Sequence, residues 1–327
     1  MKKDTPGREV VADIMRRYPT HSHMAIARAA FATWPEVFPT LDAARSVVRV
    51  MVGSKGVKTR KANPYKPMRD GNYRTPLPES KAVAWVPFDL EARRILVLSD
   101  VHIPFQDQRA LIAALKWGDK VNPDCVFLNG DTADFYTVSR YETDPRVRDF
   151  VGEVKAVRQF LAHIRDRYPK ARIVYKLGNH DERWLSYLYR KAPELLGLDV
   201  TGFESIIEAD KVGAEIVADK RIVRIGKLNV LHGHELPRGM ASPVNPARGA
   251  FLRTGSISMI GHHHQTSEHT ETTLDGRTVT CWSTGCLSEL HPDYARVNRW
   301  NHGFALVETH RDQFTVSNKR IRNGSVL

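Results

Sequence analysis

Residues 95–102 read Ile-Leu-Val-Leu-Ser-Asp-Val-His, a short apolar run that ends in a carboxylate and an imidazole. The arrangement recurs twice: Val126–Leu128 leads to Gly130-Asp131, and Ile173–Val174 leads to Gly178-Asn179-His180-Asp181. Short β-branched runs of this kind are typical of buried strands in a parallel or mixed sheet. Open α/β sheets bind ligands beyond the carboxyl ends of their strands. We therefore predict that these polar side chains converge at one edge of a sheet.

Histidines supply the rest of the predicted site. The segments His232-Gly233-His234 and Gly261-His262-His263-His264 each follow an apolar run that we predict to be a strand, near residues 228–231 and 256–260. Carboxylate, imidazole and amide groups together suit borderline divalent metals rather than metals that prefer thiolates. The sequence thus predicts a metal centre, with these ligands: Asp100, His102, Asp131, Asn179, His232, His262 and His264.

Such a centre would hydrolyse a phosphate ester. Two cations about 3.5–4 Å apart clamp a phosphate and lower the pKa of a bridging water, so that a hydroxide attacks phosphorus. His180 directly follows Asn179 and is the candidate general acid that protonates the leaving oxygen. Asp134 is the candidate acidic partner, which would orient His180 and keep it protonated.

Five other side chains near the motifs are candidates for contact with a substrate. Arg140, Arg183 and Arg238 follow site motifs and could pair with phosphate. Each could equally be an ordinary surface arginine. Trp282 and Trp300 could stack on a nucleic-acid base, although core packing is the more common role of tryptophan.

The composition is that of a globular protein. Of the 327 residues, 42% are hydrophobic, which suffices for one large domain or one large and one small domain. No segment approaches the roughly 18 apolar residues of a membrane span, and Met1-Lys2-Lys3-Asp4 does not lead into an apolar signal core. We therefore expect a cytoplasmic protein with no membrane partner. Its three cysteines are then expected to be reduced: Cys125, Cys281 and Cys286.

Positive charge is concentrated near the start of the chain. The formal net charge is +12, and residues 1–80 carry 15 Lys and Arg against 7 Asp and Glu. A basic segment joined to a domain with nearly equal numbers of positive and negative charges indicates an anionic polymer as partner, so we expect the chain to bind nucleic acid. A solvated basic tail that only aids solubility is the alternative. The oligomeric state stays open.

Residues 1–53 are predicted to form a small helical module. Three short helices are expected there, at about 7–18, 22–33 and 40–51. Thr40 is a plausible N-cap for the third, which would present Arg45 and Arg49 on one side. This pattern fits a helix-turn-helix module that binds DNA. It fits a structural cap or an oligomerisation module equally well.

The remainder of the chain is predicted to be a linker and a catalytic domain. Residues 54–88 are basic and punctuated by prolines, which is typical of a semi-extended linker. In residues 89–327, strands and helices alternate and then strands predominate, which implies a layered α/β or α+β domain. The longer helices are expected near residues 107–120, 146–168 and 182–196.

The motif series resembles that of the calcineurin-like metallophosphoesterase superfamily. In that superfamily the motifs occur in the order D-x-H, G-D-x-x-D, G-N-H-D/E, H-G or G-H, and G-H-x-H. The resemblance covers about residues 90–309 and implies a layered β-sandwich domain flanked by helices. The first metal would then be held by Asp100, His102, Asp131 and His264, and the second by Asp131, Asn179, His232 and His262. His180 would protonate the leaving group with support from Asp134.

The resemblance also bears on the metals and on the branch of the superfamily. It implies two divalent ions, for which we favour Mn²⁺, with Fe, Zn, Ni or Co as alternatives. The segment Asp134–Tyr141 resembles additions found in phage and prophage members. A nuclease or phosphodiesterase branch of the superfamily uses the same ligands. Phe135 stands where protein-phosphatase members carry arginine, which argues against a phosphoprotein substrate.

Three functions follow as hypotheses. The first is a metal-dependent phosphodiesterase or nuclease that acts on DNA or RNA, because the site motifs are joined to a basic N-terminal segment. The second is a phosphatase or phosphodiesterase acting on a small nucleotide or a phosphoprotein, since the chemistry at the metals would be identical. The third is a catalytically silent DNA-binding protein, although no expected ligand is missing from the sequence.

Overall fold

A computed structural model of the chain describes residues 6–18, 21–52, 81–82, 84–237, 244–311 and 313–327. The chain divides into two compact units, Met1–Ala82 and Val83–Leu327. Most of the predicted linker, as well as Arg238, lies outside the described residues. The boundaries at residues 53 and 88 therefore stay a prediction. Within the described ranges, no helix has the length and apolar character needed to cross a membrane.

The first unit contains the three predicted helices, which run over Pro6–Arg17, His23–Thr33 and Leu41–Met51. The second begins after Ser22 and the third after Thr40, and each of these side chains accepts a hydrogen bond from a backbone N–H three residues later. Such N-caps satisfy donors that the first turn of a helix leaves free. The helices pack around one apolar core: Val11, Ile14, Ile26, Ala27, Ala30, Phe38, Ala44, Val48 and Val52.

The second unit is built from two sheets and several helices. Its strands, within the described residues, are β1 Phe88–Asp89, β2 Arg94–Leu98, β3 Cys125–Asn129, β4 Arg172–Lys176, β5 Ala214–Val217, β6 Val223–Ile225, β7 Leu228–Val230, β8 Ser258–Ile260, β9 Ser267–Thr272, β10 Thr278–Ser283, β11 His302–His310, β12 Gln313–Arg322 and β13 Ser325–Val326. One sheet has the order β13-β12-β11-β2-β3-β4-β5, and the other has the order β1-β6-β7-β8-β10-β9. The longer helices are Gln108–Val121, Phe150–Arg167, Arg183–Lys191 and Pro246–Thr254.

The central strands bury both of their faces. Ile95 and Val97 of β2 pack into the apolar core between the two sheets. Leu96 and Leu98 of the same strand pack into the core that contains the helices Gln108–Val121 and Phe150–Arg167. Because successive side chains of a strand point to opposite faces, a strand covered on both sides reads as an unbroken apolar run. The prediction of a layered α/β β-sandwich flanked by helices is confirmed.

The carboxyl ends of neighbouring strands position the polar motifs. In the first sheet β2, β3 and β4 are parallel neighbours, and they lead to Asp100, Asp131 and Asn179. In the second sheet β7 and β8 are parallel neighbours, and they lead to His232 and His262. Each sheet thus presents its polar residues where parallel strands end, as open α/β sheets do.

The bounds of two predicted helices were wrong, and one helix was not predicted. The helix expected over 146–168 begins only at Phe150, after the N-cap Asp149. The helix expected over 182–196 ends at Lys191, because a residue that precedes proline, here Ala192, disfavours the helical conformation. The helix Pro246–Thr254 was not expected, although an N-capping asparagine and a proline at its first position signal a helix start.

Candidate metal centre

Carboxylates and imidazoles from all five motifs come together in three overlapping groups. Within each group, the potential ligand atoms lie within 4.8 Å of one another. The groups are Asp100 with His102 and His264, His102 with Asp131 and His180, and Asp131 with His232 and His262. His102 and Asp131 each belong to two groups, so the three form one continuous cluster. Chain segments that are more than 150 residues apart in sequence meet here.

Two buried carboxylates form the middle of this cluster. Oδ2 of Asp131 lies 3.2 Å from Nε2 of His232, and Oδ1 of Asp100 lies 3.2 Å from Nε2 of His264. Burial opposes a charge on the His232 imidazole, but Asp131 and Asp100 together outweigh it and raise the pKa of His232 to about 10. The cluster therefore concentrates negative charge, which favours a bound cation.

The orientation of His232 fits a metal ligand. Its Nδ1 lies 2.9 Å from the backbone oxygen of Asn129. A carbonyl oxygen only accepts hydrogen bonds, so Nδ1 is the donor and Nε2 is the atom directed at the cluster, where a bound cation would take the place of its proton. Within the described residues, the buried Oδ1 of Asn179 has no hydrogen-bond partner, and Nε2 of His232 lies 3.2 Å from Oδ2 of Asp131 without forming a well-aligned hydrogen bond. Buried polar atoms are rarely left without partners, and divalent cations would bind both.

Asp134 holds two histidines with one carboxylate oxygen. Its Oδ1 lies 2.8 Å from Nδ1 of His102 and 2.8 Å from Nδ1 of His180. Burial alone would raise the pKa of the Asp134 carboxyl, but the hydrogen bonds from the two imidazoles hold it well below its usual range. Because an ionised carboxylate only accepts, both Nδ1 atoms donate. The Nε2 atoms of both rings then remain for ligand binding or proton transfer.

The backbone at the cluster is unusual. Five residues of the predicted ligand set have positive φ angles between 49° and 66°: Asp100, His102, Asp131, His262 and His264. Aspartate and histidine enter this left-handed region more readily than most residues. It still costs a residue other than glycine on the order of 1 kcal/mol. Strained backbone of this kind concentrates at functional sites.

Glycines allow the motif segments to approach one another. A Cβ atom on Gly178 would collide with the backbone nitrogen and the carboxylate of Asp131. A Cβ atom on Gly261 would collide with Ser99 and Asp100. Only glycine leaves room for such backbone contacts, which explains its position before the ligand in these motifs.

A sequence model of calcineurin-like phosphoesterases matches residues 93–266. The chain belongs to the calcineurin-like phosphoesterase family. Its cluster of Asp and His residues is what a metal-dependent phosphoesterase requires. The resemblance inferred from the motifs is therefore confirmed.

Phage proteins are among the relatives of this phosphoesterase. The gene 54 proteins of Mycobacterium phages L5 and D29 are 28% and 29% identical to it over 229 residues. Each alignment covers 66% of this chain and 89% of the phage protein. The phage relation expected from the motif additions is thus confirmed.

Several solved structures are also similar to part of this phosphoesterase. Vacuolar protein sorting 29 from Cryptosporidium parvum is 13% identical, with a TM-score of 0.39 and coverage of 72% of this chain and 95% of that chain. A dimetal phosphatase from Danio rerio is 13% identical, with a TM-score of 0.37 and coverage of 72% and 98%. Yfce, a phosphoesterase from E. coli, is 12% identical, with a TM-score of 0.34 and coverage of 68% and 98%.

The predicted substrate-contacting residues of this phosphoesterase lie in different places. Arg183 donates from Nη1 to the backbone oxygen of Asp134 at 2.9 Å, and its Nη2 lies 3.0 Å from Nε2 of His180. Arg140 lines a cavity beside the cluster, and its guanidinium lies 5.0 Å from the ring centroid of Tyr141. Arg238 lies outside the described residues.

The two tryptophans also differ in their surroundings. Trp282 packs in the core between the sheets and donates from Nε1 to Glu268 at 3.1 Å, so it is a core residue. The Trp300 ring centroid lies 4.1 Å from that of His264, and Trp300 is half-buried beside the cluster. His234 belongs to none of the three groups found among the described residues; its Nε2 lies 3.4 Å from Oε2 of Glu182.

Some residues that support the site were not singled out from the sequence. Asp181 is fully buried and accepts hydrogen bonds from the backbone N–H groups of Ala133 and Gly178 and from the Tyr175 hydroxyl. Burial, followed by the nearby Asp131 charge, raises the pKa of Asp181 to about 6. The sequence did contain a signal for the importance of Asp181, because this residue is the last one of the Gly-Asn-His-Asp motif. Asp181 connects the turn after β3 to the turn after β4.

Proposed function

We propose that this chain is a two-metal phosphodiesterase that hydrolyses phosphodiester bonds of nucleic acid. The observation that carries the proposal is the position of Asp131. Its carboxylate belongs both to the group with His102 and His180 and to the group with His232 and His262. A carboxylate shared by adjacent ligand groups is suited to bridge two cations.

The residues present fit the metals that the family implies. Asp100, His102, Asp131 and His264 would hold one cation, and Asp131, Asn179, His232 and His262 would hold the other. Divalent cations bound there would neutralise phosphate charge and lower the pKa of water at the site. Nitrogen and oxygen ligands predominate, and none of the three buried cysteines belongs to the cluster among the described residues, which argues against a metal that prefers thiolates. We favour Mn²⁺, with Fe, Zn, Ni or Co as alternatives.

His180 is the proposed general acid. Asp134 fixes its ring through Nδ1, so Nε2 is the atom that would give a proton to the leaving oxygen. That atom now faces the Arg183 guanidinium at 3.0 Å. A substrate phosphate would attract Arg183, and Nε2 of His180 would then be free to face the leaving group.

Nucleic acid is the proposed substrate because of where positive charge lies. Residues 1–80 carry 15 Lys and Arg against 7 Asp and Glu, and Arg140 and Arg183 line the cavity next to Asn179 and His262. Phosphate contacts by arginine and lysine supply most of the affinity of proteins for nucleic-acid backbones. The first unit would add such contacts to those of the catalytic unit.

A second candidate is hydrolysis of a small phosphate ester. The cavity beside the cluster has a volume of about 640 Å³, which falls in the range of pockets that bind small molecules. A nucleotide would fit a cavity of this size without any contact to the first unit.

A substrate comparison tests the proposal. Protein loaded with Mn²⁺ is assayed with bis-p-nitrophenyl phosphate, with p-nitrophenyl phosphate, and with labelled single- and double-stranded DNA, and chelator-treated protein is the control. We expect turnover of the diester and cleavage of DNA, both lost with chelator. Turnover of the monoester alone would replace the first candidate by the second. Tight DNA binding without cleavage of any ester would favour a catalytically silent protein.

A further inference from the structure

A strongly cationic cavity opens beside the metal cluster. It reaches Asn179 and His262, and it is lined by five basic side chains and one acidic side chain: Arg140, Arg183, Arg190, Lys220, Arg253 and Glu182. We call it the cationic cavity. Arg183 already contacts Asp134 and His180, so the catalytic residues account for only one of these five charges.

The basic side chains reach the cavity from separate elements. Arg183 and Arg190 lie two turns apart on one face of the helix Arg183–Lys191. Lys220 lies in the turn between β5 and β6, and Arg253 in the last turn of the helix Pro246–Thr254. Convergence of like charges from distant parts of the chain is electrostatically unfavourable. An anionic occupant would remove that cost.

The described residues supply little negative charge to these cations. Lys220 Nζ is 4.0 Å from Oε2 of Glu182, which also faces Nε2 of His234. Arg190 donates from Nε to the backbone oxygen of Ser186 and forms no ion pair with a described carboxylate. Arg253 also lines the cavity and forms no ion pair with a described carboxylate. The charges of Arg190 and Arg253 are therefore left for an anion in the cavity.

We propose that the cationic cavity binds a second phosphate group of the substrate, next to the phosphate that is hydrolysed. The proposal rests on the phosphoesterase function and specifies its substrate: a molecule with at least two phosphates. Arg190, Lys220 and Arg253 would bind the phosphate that stays intact, because guanidinium and ammonium groups form strong charge-assisted hydrogen bonds with phosphate oxygens. A nucleic-acid strand and a nucleoside polyphosphate both carry such a group.

Matched substrates test this subsite. The Mn²⁺-loaded full chain is assayed with dithymidylate, with dithymidylate that carries a 5′-phosphate, with dithymidylate that carries a 3′-phosphate, and with thymidine triphosphate. We expect one of the two terminally phosphorylated dinucleotides to exceed plain dithymidylate in kcat/KM by about tenfold or more. A large value for thymidine triphosphate alone would support the subsite with a free nucleotide as its occupant. Equal kcat/KM for all four substrates would overturn the subsite and leave the phosphodiesterase function intact.

Variants connect that preference to the cavity. Arg253→Gln and Lys220→Gln are expected to reduce the ratio of kcat/KM between the preferred and plain dinucleotides toward one. Arg248→Gln is the matched control, since Arg248 lies on the same helix as Arg253 but is exposed and does not line the cavity. The control should keep the wild-type ratio. A ratio that Arg253→Gln and Lys220→Gln leave unchanged would contradict the proposal.

A binding experiment separates this proposal from the catalytic one. Inorganic pyrophosphate is titrated by calorimetry into metal-free protein in the presence of a chelator. Arg253→Gln should weaken binding by about tenfold, and Arg248→Gln should not. If no substrate is hydrolysed but pyrophosphate binding follows this pattern, the phosphodiesterase function fails and the anion subsite stands. If pyrophosphate binds Arg253→Gln as well as it binds the wild type, the subsite fails.

Discussion

The Lys176 ammonium lies 2.8 Å from the Glu235 carboxylate, and the Lys176 side chain is fully buried. Glu235 also accepts hydrogen bonds from the backbone N–H groups of His232 and Gly233. Lys176 ends β4 and donates to the backbone oxygen of Arg221 at 2.6 Å. The ion pair therefore connects the strand that leads to Asn179 with the loop that carries His232.

The Lys176–Glu235 pair predicts how stability depends on pH. Burial alone would raise the pKa of the Glu235 carboxyl, but Lys176 and then His234 outweigh burial and lower the pKa to about 2, from 4.5 for a free glutamate. A lowered native-state pKa stabilises the fold fully above pH 4.5, and this stabilisation is lost as the pH falls toward 2. We predict that the destabilisation caused by Glu235→Gln shrinks by about 1–3 kcal/mol between pH 6 and pH 3.

Urea unfolding of metal-free protein at the two pH values measures this change. Glu215→Gln is the control, because Glu215 pairs with Arg172 at the surface and both side chains are well exposed. Surface pairs contribute little, so its effect should hardly change with pH. If Glu235→Gln destabilises the protein equally at both pH values, the ion pair does not stabilise the fold as described.

His180→Asn tests the general acid. We expect kcat for a DNA phosphodiester to fall by about 10²–10⁴-fold, while the bound metal is retained. The loss should be smaller for bis-p-nitrophenyl phosphate, since nitrophenolate leaves without a proton. Metal content by elemental analysis and kcat for both substrates are the measurements. Equal losses for the two leaving groups would remove His180 from proton transfer.

Asp134→Asn should affect both metal binding and catalysis, because one oxygen of Asp134 orients both His102 and His180. Loss of a carboxylate that orients a ligating histidine weakens metal binding by about 10–100-fold. A Mn²⁺ titration combined with kcat separates this variant from His180→Asn, which should reduce kcat alone. Asp144→Asn is the control, since Asp144 pairs with the exposed Arg146. Unaltered Mn²⁺ affinity in Asp134→Asn would show that His102 is not held for a metal.

The run of three histidines offers a matched pair of substitutions. His262 belongs to a ligand group with Asp131 and His232, whereas His263 belongs to no such group among the described residues. We predict about two metal ions per chain in the wild type and in His263→Ala, and about one in His262→Ala. Elemental analysis after removal of free metal measures the ratio. Loss of metal from His263→Ala with retention in His262→Ala would reverse the assignment.

Removal of residues 1–82 tests the role of the first unit. The remaining unit has its own apolar cores, so hydrolysis of bis-p-nitrophenyl phosphate should be retained. DNA affinity should fall, and the slope of log K against log salt should decrease by about 0.9 for each phosphate contact that is lost. Fluorescence anisotropy at several salt concentrations measures that slope. Identical slopes for the two proteins would exclude the first unit from DNA binding.

The sequence predicted the strands that carry the site because their signal is local. The apolar runs before Asp100, Asp131 and Asn179 contain only side chains that can be buried, and the polar residue that follows marks the strand end. The observed strands β2, β3 and β4 contain the apolar runs at residues 95–98, 126–128 and 173–174. Thr40 likewise identified its helix start, since an N-cap acts on a backbone N–H only three residues away.

Contacts between distant segments could not be predicted in the same way. Lys176 and Glu235 are 59 residues apart, and nothing near either residue indicates that they pair. Charge alone would place Lys176 on the surface, because lysine is rarely buried without a partner. The cationic cavity could not be predicted for the same reason, because Lys220 and Arg253 come together there only through the packing of separate elements of the fold.

The left-handed backbone at Asp100, His102, Asp131, His262 and His264 limits how this site could be re-engineered. Glycine would relax the chain at each of these positions, but it would also remove a candidate ligand. A substitution that makes the protein more heat-resistant here would therefore weaken the proposed metal centre, which is the usual trade between stability and activity.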